Sequence, residues 1–592
     1  MTANWSLKAL YESFESEAFK ADLKQYEVLQ EEMKVWIDEA ITNHEDEKNK
    51  LENFITKNLE LYNYKEKLGA FTHLTLSVDS KNEAAIKNDG ILKTKGAALA
   101  GPMTKFSKWV CEIKDLQGLI ESSKLLKDHA FYLHEIVEDN AHTLSEQEES
   151  ILARLSNTGS SAWENYKNLI ISTHKVEIEE EDGVKEYPLT VALNMAYDED
   201  RKVRERAYHA EIASYKKIEE GVAAALNGIK GEALTTCELR GYGSPIEMTL
   251  EQSRMDKETL EAMLSAMRES FPKFRSYLRR KAELLGYKNG LPFYELYAPV
   301  SEANMTYTYE EGKNFVENQF RKFSDHLGDF AKKAFQENWL DVYPKEGKRG
   351  GAFCSTIRAI KESRILLNYG DSFSDVITMA HELGHGFHGA CLNDETSLNT
   401  FYPMPLAETA SNFCETIVKK AAIKEADKKA ALAILETEIS DATQTIIDIY
   451  SRYLFETEVF EKRKTSPLSV EEIKNTMLWA QKEAYGDGLD PEFLHPYMWT
   501  WKPHYYYATR NFYNFPYAFG LLFAKGLYAQ YLERPETFPT EYEKILSLTG
   551  KMKIADLTKV ANIDVHDIEF WRASLKTIEE DIDQFIKLSY EI

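Results

Sequence analysis

The chain has 592 residues, with 72 Lys and Arg against 97 Asp and Glu, so its formal net charge at pH 7 is −25. This length excludes a small disulfide-held scaffold and predicts two lobes or more. The negative charge would repel nucleic-acid phosphates and anionic lipid surfaces, so we expect neither as a partner; its main effect is solubility, with attraction of cationic peptides as the alternative.

Most of the sequence has the spacing of amphipathic α-helices. Apolar residues recur at intervals of three and four, and the clearest segments are residues 7–19, 23–59, 145–171 and 257–285. This periodicity predicts a mainly α protein.

A β-hairpin is predicted over residues 175–187. Apolar and polar residues alternate there on both sides of an Asp-Gly pair, Asp182 and Gly183. We place a domain boundary just after this hairpin. The predicted division is an N-terminal helical lobe, residues 1–195, and a second domain, residues 196–592.

A glycine-rich stretch and a second β segment come before the strongest chemical signal. Residues 347–353 read GKRGGAF, which lacks the spacing of a phosphate-binding loop. We interpret them as a turn, with a loop that contacts substrate as the alternative. Residues 363–369 have the composition of a β-strand.

A helix with two histidines one turn apart follows. Residues 372–375 have the Ser-x-x-Asp form of a helix start, and apolar residues at helical spacing then predict a helix over residues 374–389. On this helix His381 and His385 can bind one zinc ion, and Glu382 is near enough to take a proton from water. The pattern HExxH therefore predicts a zinc metallopeptidase with one Zn²⁺ per chain; ordinary helix histidines are the alternative.

A catalytic zinc ion needs a third protein ligand. The longer pattern HExxHxxGxxH fails, because His388 and Cys391 stand where it requires Gly and His. Glu408 and Glu415 lie two turns apart on a further predicted helix, residues 405–415. Spacing favours Glu408 but leaves Glu415 and an ordinary surface helix open, and His388 is either a supporting donor or a packed residue.

These segments resemble the M3 family of zinc oligopeptidases, which includes thimet oligopeptidase, and most closely its bacterial oligoendopeptidase F branch. The resemblance extends over most of the chain. It rests on GGAF at residues 350–353, LNY at 367–369, HELGHGFH at 381–388, AETAS at 407–411 and the aromatic segment 504–520.

The resemblance implies a complete set of residues for the metal site. His381, His385 and Glu408 become the zinc ligands and Glu382 the general base, while Glu415 becomes a carboxylate that orients a ligand imidazole.

The resemblance also implies a fold. It is mainly α, a two-lobed helical shell around a deep substrate channel, with a small β-sheet next to the HExxH helix. Residues 363–369 would form the edge strand that pairs with an extended peptide. Such a channel would admit short unstructured peptides and exclude folded proteins.

The segment 504–520 is unusually aromatic, and core packing accounts for most of it. Peptide hydrolysis, however, places negative charge on the former carbonyl oxygen, which imidazole or phenol donors can stabilise. The resemblance implies a His followed by Tyr residues in this function. The candidates are His504, Tyr513 and Tyr517.

We therefore expect a zinc-dependent endopeptidase that hydrolyses internal bonds of short peptides. A zinc carboxypeptidase or dipeptidyl carboxypeptidase would use the same chemistry with a pocket for the substrate C-terminus. An inactive peptide-binding scaffold is the alternative from another class, and the intact Glu382 argues against it.

The sequence favours a cytoplasmic protein. The five cysteines are odd in number and contain no Cys-x-x-Cys pair, which fits a reducing compartment. We find no basic segment followed by an apolar one at the start, and no run of 18 apolar residues. Oligomeric state is not predicted.

Overall fold

The computed structural model describes residues 3–301 and 305–591, and within them the chain is mostly helical, as predicted. In chain order, the helices before residue 300 are α1 (Glu17–Ala40), α2 (Glu47–Val78), α3 (Glu83–Ala97), α4 (Ala100–Cys111), α5 (Leu116–Glu121), α6 (Lys124–Asp128), α7 (Ala130–Ala141), α8 (Glu146–Thr158), α9 (Ser160–Thr173), α10 (Leu189–Asn194), α11 (Arg201–Ser214), α12 (Glu219–Leu239), α13 (Pro245–Gln252) and α14 (Lys257–Leu284).

Helices also dominate the rest of the described chain. They are α15 (Tyr309–Phe323), α16 (Asp325–Gln336), α17 (Phe373–Cys391), α18 (Met404–Ala407), α19 (Thr409–Glu425), α20 (Lys428–Thr443), α21 (Ile449–Arg463), α22 (Val470–Tyr485), α23 (Met498–Trp501), α24 (Phe515–Glu533), α25 (Phe538–Leu548), α26 (Ile554–Lys559) and α27 (Ile568–Ser589). Among the described residues, no helix is both long enough and apolar enough to cross a membrane.

The strands form two small sheets. They are β1 (Lys175–Glu180), β2 (Gly183–Pro188), β3 (Leu340–Asp341), β4 (Phe353–Ile357) and β5 (Glu362–Leu366). Strands β1 and β2 form the predicted hairpin, with Glu180 opposite Gly183. The second sheet has the order β3-β5-β4, with β5 parallel to β3 and antiparallel to β4.

The strand order corrects one prediction. Residues 363–369 were expected to form an edge strand, but β5 lies in the centre of its sheet, between β3 and β4. The short strand Leu340–Asp341 pairs with the edge of β5 opposite to β4, and the sequence pattern did not predict this pairing. Within the described chain, the outer strand beside the HExxH helix is therefore β4.

Several predicted helices are shorter than their apolar pattern. Residues 7–16 form turns, and α1 begins only after Ser16, whose hydroxyl accepts a hydrogen bond from the Phe19 amide at 3.3 Å. Residues 41–46 divide the segment 23–59 between α1 and α2. Gly159 divides the segment 145–171 between α8 and α9. By contrast, α14 confirms the predicted helix 257–285 almost to the residue.

The chain folds into two compact units, each assembled from three stretches of sequence. The described residues of the first unit lie in 3–142, 305–421 and 530–562, and those of the second in 143–301, 422–529 and 563–591. The division of the sequence near residue 195 stays a prediction.

The hydrophobic core of the first unit joins its N-terminal helices to the three-stranded sheet. Buried residues of α1, α2 and α4 pack in one cluster with Ile357 of β4 and Leu366 of β5. Helix α17 also contacts both of these strands. The sheet therefore connects the core to the helix that carries the HExxH pattern.

Candidate metal centre

Helix α17 begins where the sequence predicts. The Ser372 hydroxyl accepts a hydrogen bond from the Asp375 amide at 3.2 Å, and the Asp375 carboxylate accepts one from the Ser372 amide at 3.0 Å. This reciprocal capping box satisfies two amides that the first turn of a helix leaves unpaired. It fixes the start of the helix on which His381 and His385 lie one turn apart.

A glycine on α17 allows α19 to approach closely. A β-carbon built at Gly384 would lie 2.6 Å from the carbonyl oxygen of Ala410 and 2.7 Å from the α-carbon of Ser411. Only glycine leaves room for backbone at this distance. The HExxH pattern requires no glycine at this position, so sequence analysis did not identify this contact.

A second glycine on α17 lies against β4. A β-carbon built at Gly389 would lie 2.3 Å from the hydroxyl oxygen of Thr356. The strand therefore packs directly on the backbone of the helix. This contact holds the outer strand of the sheet beside the two histidines.

Glu408 lies at a break between helices, which corrects the prediction of one helix over residues 405–415. The short helix α18 ends at Ala407, Glu408 has φ −95° and ψ 6°, and α19 starts at Thr409. The Glu408 carboxylate accepts a hydrogen bond from the Ser411 hydroxyl at 2.7 Å. The break and this hydrogen bond orient the carboxylate.

Three atoms that could bind one metal ion converge at this point. Nε2 of His381 lies 3.1 Å from Nε2 of His385, and Oε2 of Glu408 lies 3.3 and 3.4 Å from these two nitrogens. Ligands held 2.0–2.1 Å from one zinc ion in a tetrahedron would be ~3.3 Å apart. In the described part of the chain, this is the one group of three His, Cys, Asp or Glu residues found with metal-binding geometry.

Glu415, the alternative third ligand, lies on the other side of the His381 ring. Its Oε1 is 2.6 Å from His381 Nδ1, and its Oε2 is 2.8 Å from the Lys419 ammonium. Because a carboxylate accepts, Nδ1 donates, which leaves Nε2 as the ring nitrogen that could bind a metal ion. Sequence analysis did not identify Lys419, although its position four residues after Glu415 is typical of a helical ion pair.

The carboxylates and imidazole of this cluster are coupled. Burial acts to raise the pKa of Glu408, but hydrogen bonds with His381 and His385 lower it well below its usual range. Burial acts to lower the pKa of His381, but hydrogen bonds to Glu408 and Glu415 raise it to about 10. Burial also acts to raise the pKa of Glu415, but the Lys419 ammonium and the hydrogen bond with His381 lower it.

Glu382 is in a different environment from these two acids. It is 6% exposed, and its Oε2 is buried with no hydrogen-bond partner in the described chain. Burial raises the pKa of its carboxyl group, because the charged form is poorly solvated there. This environment favours proton exchange at Glu382 over a fixed ion pair.

His388 is packed against the wall of the site. It is fully buried, its Nε2 lies 2.8 Å from the Thr549 hydroxyl, and its ring stacks on Tyr402 with the centroids 4.2 Å apart. Burial lowers its pKa to about 3, so the ring is neutral at pH 7.

The cluster opens into a pocket of about 590 Å³. Its lining, all from the first unit, is Ala352, Phe353, Cys354, Ser355, Thr356, Arg358, His381, Glu382, His385, Tyr402, Ala407 and Glu408. Strand β4 thus runs along one wall, next to the histidines.

The aromatic candidates form a cluster of their own in the second unit. The ring of His504 stacks on that of Tyr513 with the centroids 5.0 Å apart, and Tyr513 lies 6.1 Å from Tyr517. Burial, with help from nearby cations, lowers the pKa of His504 to about 4, so its ring is neutral at pH 7. Tyr517 is 37% exposed. The structure brings these three together.

The helix pair and its convergent His-His-Glu group are typical of metallopeptidases. Residues 194–577 match the model of peptidase family M3, and residues 111–175 match the model described as Oligopeptidase F. Because the M3 model covers more than half of the chain, the protein belongs to peptidase family M3, as its motifs predict.

Relatives of this chain carry oligopeptidase names. It is 26% identical to Oligopeptidase PepF of Bacillus subtilis over 486 residues, which cover 81% of this chain and 71% of the relative. It is 25% identical to an Oligoendopeptidase F homolog of Lactococcus lactis, over 82% of this chain and 79% of the relative. The predicted branch of the family and the peptidase class are confirmed.

Solved structures share the fold. A putative peptidase from Chlamydophila abortus aligns with a TM-score of 0.86 at 22% identity, over 99% of this chain and 98% of that one. Oligoendopeptidase-F from Enterococcus faecium aligns with a TM-score of 0.68 at 19% identity, over 96% and 99%. The predicted mainly α fold class is confirmed.

Proposed function

We propose that this M3 peptidase is a zinc-dependent oligoendopeptidase that hydrolyses internal bonds of short unstructured peptides. The observation that carries the proposal is the convergence of His381 Nε2, His385 Nε2 and Glu408 Oε2 within 3.1–3.4 Å. Two imidazole nitrogens and one carboxylate leave a fourth position open, which is typical of catalytic zinc sites.

The donor set fits zinc. His381, His385 and Glu408 would hold one ion per chain, with nitrogen and oxygen ligands that suit it. When bound, the ion would act as a Lewis acid that polarises a carbonyl group and increases the acidity of water. Glu415 would hold the His381 ring in place through Nδ1, and Lys419 would balance the charge of Glu415.

Glu382 would move the proton. Its carboxylate accepts a proton from the attacking water while the water oxygen bonds to the peptide carbonyl carbon. The same carboxyl group then donates this proton to the amide nitrogen as the carbon–nitrogen bond breaks, and a carboxylic acid and an amine result. The raised pKa of Glu382 supports this function, because an acid that ionises closer to neutral pH exchanges protons in both directions more readily.

Strand β4 would bind the peptide backbone. It is the outer strand of the sheet beside α17 and lines the pocket that contains His381, Glu382 and His385. An extended peptide added to this edge would be held through its main-chain groups, which accommodates many sequences.

His504, Tyr513 and Tyr517 are proposed donors to the oxygen that becomes negative in the transition state. Their mutual contacts support a common function, since stacking on Tyr513 fixes the His504 ring. The neutral state of His504 suits a donor that does not compete for the proton of Glu382.

Mapping of cleavage products tests the proposal. The protein is incubated with a library of peptides with blocked and free C-termini, with and without a chelator, and the products are identified by mass spectrometry. We expect internal cleavage of both sets, which the chelator abolishes and zinc restores. Release of C-terminal residues or dipeptides from free ends alone would support a carboxypeptidase or dipeptidyl carboxypeptidase, and metal-independent cleavage would contradict the proposal.

A further inference from the structure

The second unit contains an aromatic pocket that the proposed hydrolysis does not use. It has a volume of about 250 Å³ and is lined by residues of the second unit alone. Its walls include Tyr197, Tyr208, Tyr294, Tyr297, Phe293 and Trp501, and its polar lining includes Arg204, Glu211 and His495.

Glu211 contributes a carboxylate oxygen that is open for a ligand. The residue is 7% exposed, and its Oε1 accepts a hydrogen bond from the Tyr215 hydroxyl at 2.7 Å and lies 3.1 Å from His495 Nε2. Its second oxygen, Oε2, has no hydrogen-bond partner among the described residues. Glu211 lines the pocket, so a carboxylate oxygen that accepts no hydrogen bond from the described residues can accept one from a bound cation or another donor.

Two tyrosines of the pocket donate their hydroxyl groups to other parts of the protein, so mainly their rings are available to a ligand. The Tyr208 hydroxyl donates to the Leu494 carbonyl at 2.7 Å, and the Tyr297 hydroxyl donates to the Gln444 side-chain oxygen at 3.0 Å. Tyr197, 61% exposed, lies with its ring centroid 4.5 Å from that of Tyr297. Ring faces around a carboxylate are typical of sites for organic cations.

The arginine of the pocket is not free to bind an anion. Arg204 donates to Oε2 of Glu295 from Nε at 3.1 Å and from Nη2 at 2.6 Å. Its Nη1 donates to the carbonyl oxygens of Asp198 and Glu199 at 2.6 and 3.0 Å. The charge of Arg204 is thus paired inside the protein, whereas Glu211 contacts His495 through Oε1 alone.

Lys502 is a buried cation that follows Trp501 of the pocket wall in the chain. It is 6% exposed, and its ammonium lies 4.5 Å from the centroid of the Trp501 ring. Burial and the nearby Arg452 lower the pKa of Lys502 to about 7, although the charges of Asp448 and Glu211 act to raise it. Lys502 therefore does not pair with Glu211 alone, because Asp448 shares its charge.

We propose that this pocket binds a primary ammonium group on an apolar stem, with the ammonium at Oε2 of Glu211 and the stem between the aromatic rings. The volume suits one amino-acid side chain or one terminal residue. Because the proposed function supplies peptides, the ligand would be the basic side chain or the N-terminal residue of a peptide, two sources of the same chemistry. This choice of ligand rests on the proposed function, whereas the binding of an ammonium group does not require hydrolysis.

Calorimetric titration of the full chain in the presence of a chelator tests this proposal. Three probes of similar size are compared: Nα-acetyl-lysine amide, with a side-chain ammonium; norleucine amide, with an α-ammonium; and Nα-acetyl-norleucine amide, which is neutral. We expect at least one ammonium probe to bind about tenfold more tightly than the neutral probe, a difference of ~1.4 kcal/mol. The ammonium probe that binds shows whether the pocket takes a side-chain ammonium or an N-terminal α-ammonium.

Two variants and two matched controls locate the binding. Glu211→Gln keeps an acceptor for Tyr215 and His495 but removes the charge, so it should abolish the preference for ammonium probes. Tyr197→Ala removes an exposed ring and should weaken the ammonium probe severalfold. Glu220→Gln and Tyr590→Ala make the same changes at exposed positions of the same unit and should leave binding unchanged.

Thermal unfolding shows which variants are folded. If Glu211→Gln does not fold, the proposal is still tested by the binding of the three probes to the parent and to the Tyr197→Ala variant. Equal binding of charged and neutral probes, no binding of any probe, or an ammonium preference that survives in folded Glu211→Gln would overturn the proposal.

Discussion

Glu382 and Glu408 are both acids of the same pocket, yet their surroundings shift their pKa values in opposite directions. Glu408 accepts from Ser411 and contacts two imidazoles, which lowers its pKa and favours the ionised form that metal binding needs. The buried oxygen of Glu382 has no such donor among the described residues, and burial raises its pKa. The same residue type is thus suited to metal binding in one place and to proton transfer in the other.

The first prediction concerns Glu382→Gln. The amide keeps the shape of the side chain but cannot accept a proton, so turnover should fall by about 10²- to 10⁴-fold. Zinc content, measured by elemental analysis, and peptide binding should not change. A variant with turnover within threefold of the parent would remove Glu382 from the mechanism.

The second prediction separates Glu408 from Glu415. Glu408→Ala should lose the metal, because it removes a ligand atom. Glu415→Gln can still accept a hydrogen bond from His381, but it loses its charge, so zinc affinity should fall by about 10- to 100-fold. Competition with a chromophoric chelator measures both affinities.

Glu425→Gln, an exposed change near the end of α19, is the control and should bind zinc like the parent. If Glu408→Ala keeps full zinc and activity while Glu415→Ala loses both, Glu415 is the ligand.

The third prediction concerns the phenol of Tyr517. Tyr517→Phe keeps the ring, so stability should hardly change. If the hydroxyl donates in the transition state, kcat and kcat/KM should fall together by about 10²- to 10³-fold, while KM stays constant. A deficit in Tyr513→Phe alone would assign the donor to Tyr513, and normal turnover in both variants would make the segment structural.

At the scale of elements, sequence patterns predict best where one local signal is strong. Helix α17 has a capping box and a continuous apolar stripe, and it begins within a residue of its predicted start. Sequence patterns fail where pairing with a distant segment determines the position of an element. Strand β5 is central because Leu340–Asp341 pairs with it, and a two-residue strand leaves no periodicity in the sequence.

In the candidate site, too, local signals predict some residues and long-range contacts determine the others. The histidines follow from their spacing on α17, whereas Glu408 lies at a helix break that the helical spacing of residues 405–415 does not reveal. One of the contacts that bring α19 to α17 is made by a residue without a side chain, Gly384. Sequence spacing carries no information about such a contact between segments.

The fourth prediction tests that contact. In an open helix position, Gly→Ala stabilises by up to about 1 kcal/mol through helix propensity. At Gly384 the new methyl group would overlap the backbone of Ala410 and Ser411, and such overpacking costs about 1–3 kcal/mol. Gly384→Ala should therefore lower the unfolding free energy and zinc affinity together, as measured by denaturant unfolding and chelator competition.

The matched control is Gly90→Ala on α3, where the added carbon would meet no atom within 4 Å from the rest of the described chain beyond its own helix backbone and neighbours. It should be neutral or slightly stabilising. If Gly384→Ala behaves like Gly90→Ala, the two helices can separate without cost and the glycine does not position Glu408.

At the scale of the whole molecule, the net charge of −25 gives the protein a negative field that every peptide meets before it reaches the site. Such a field attracts cations at long range and is screened by salt, with a Debye length of about 10 Å at 0.1 M and about 3 Å at 1 M. Short-range contacts inside a pocket are screened much less. The two kinds of interaction can therefore be separated by ionic strength.

The fifth prediction uses this difference. Two peptides with the same cleaved bond are compared, one with distal Lys residues and one with Gln in their place. The kcat/KM of the cationic peptide should fall severalfold between low and high salt, because association slows when the field is screened, whereas that of the Gln peptide should hardly change. The effect should appear in KM and leave kcat constant, since the field acts before the chemical step. An equal response of both peptides to salt would mean that the acidity of this chain serves solubility alone.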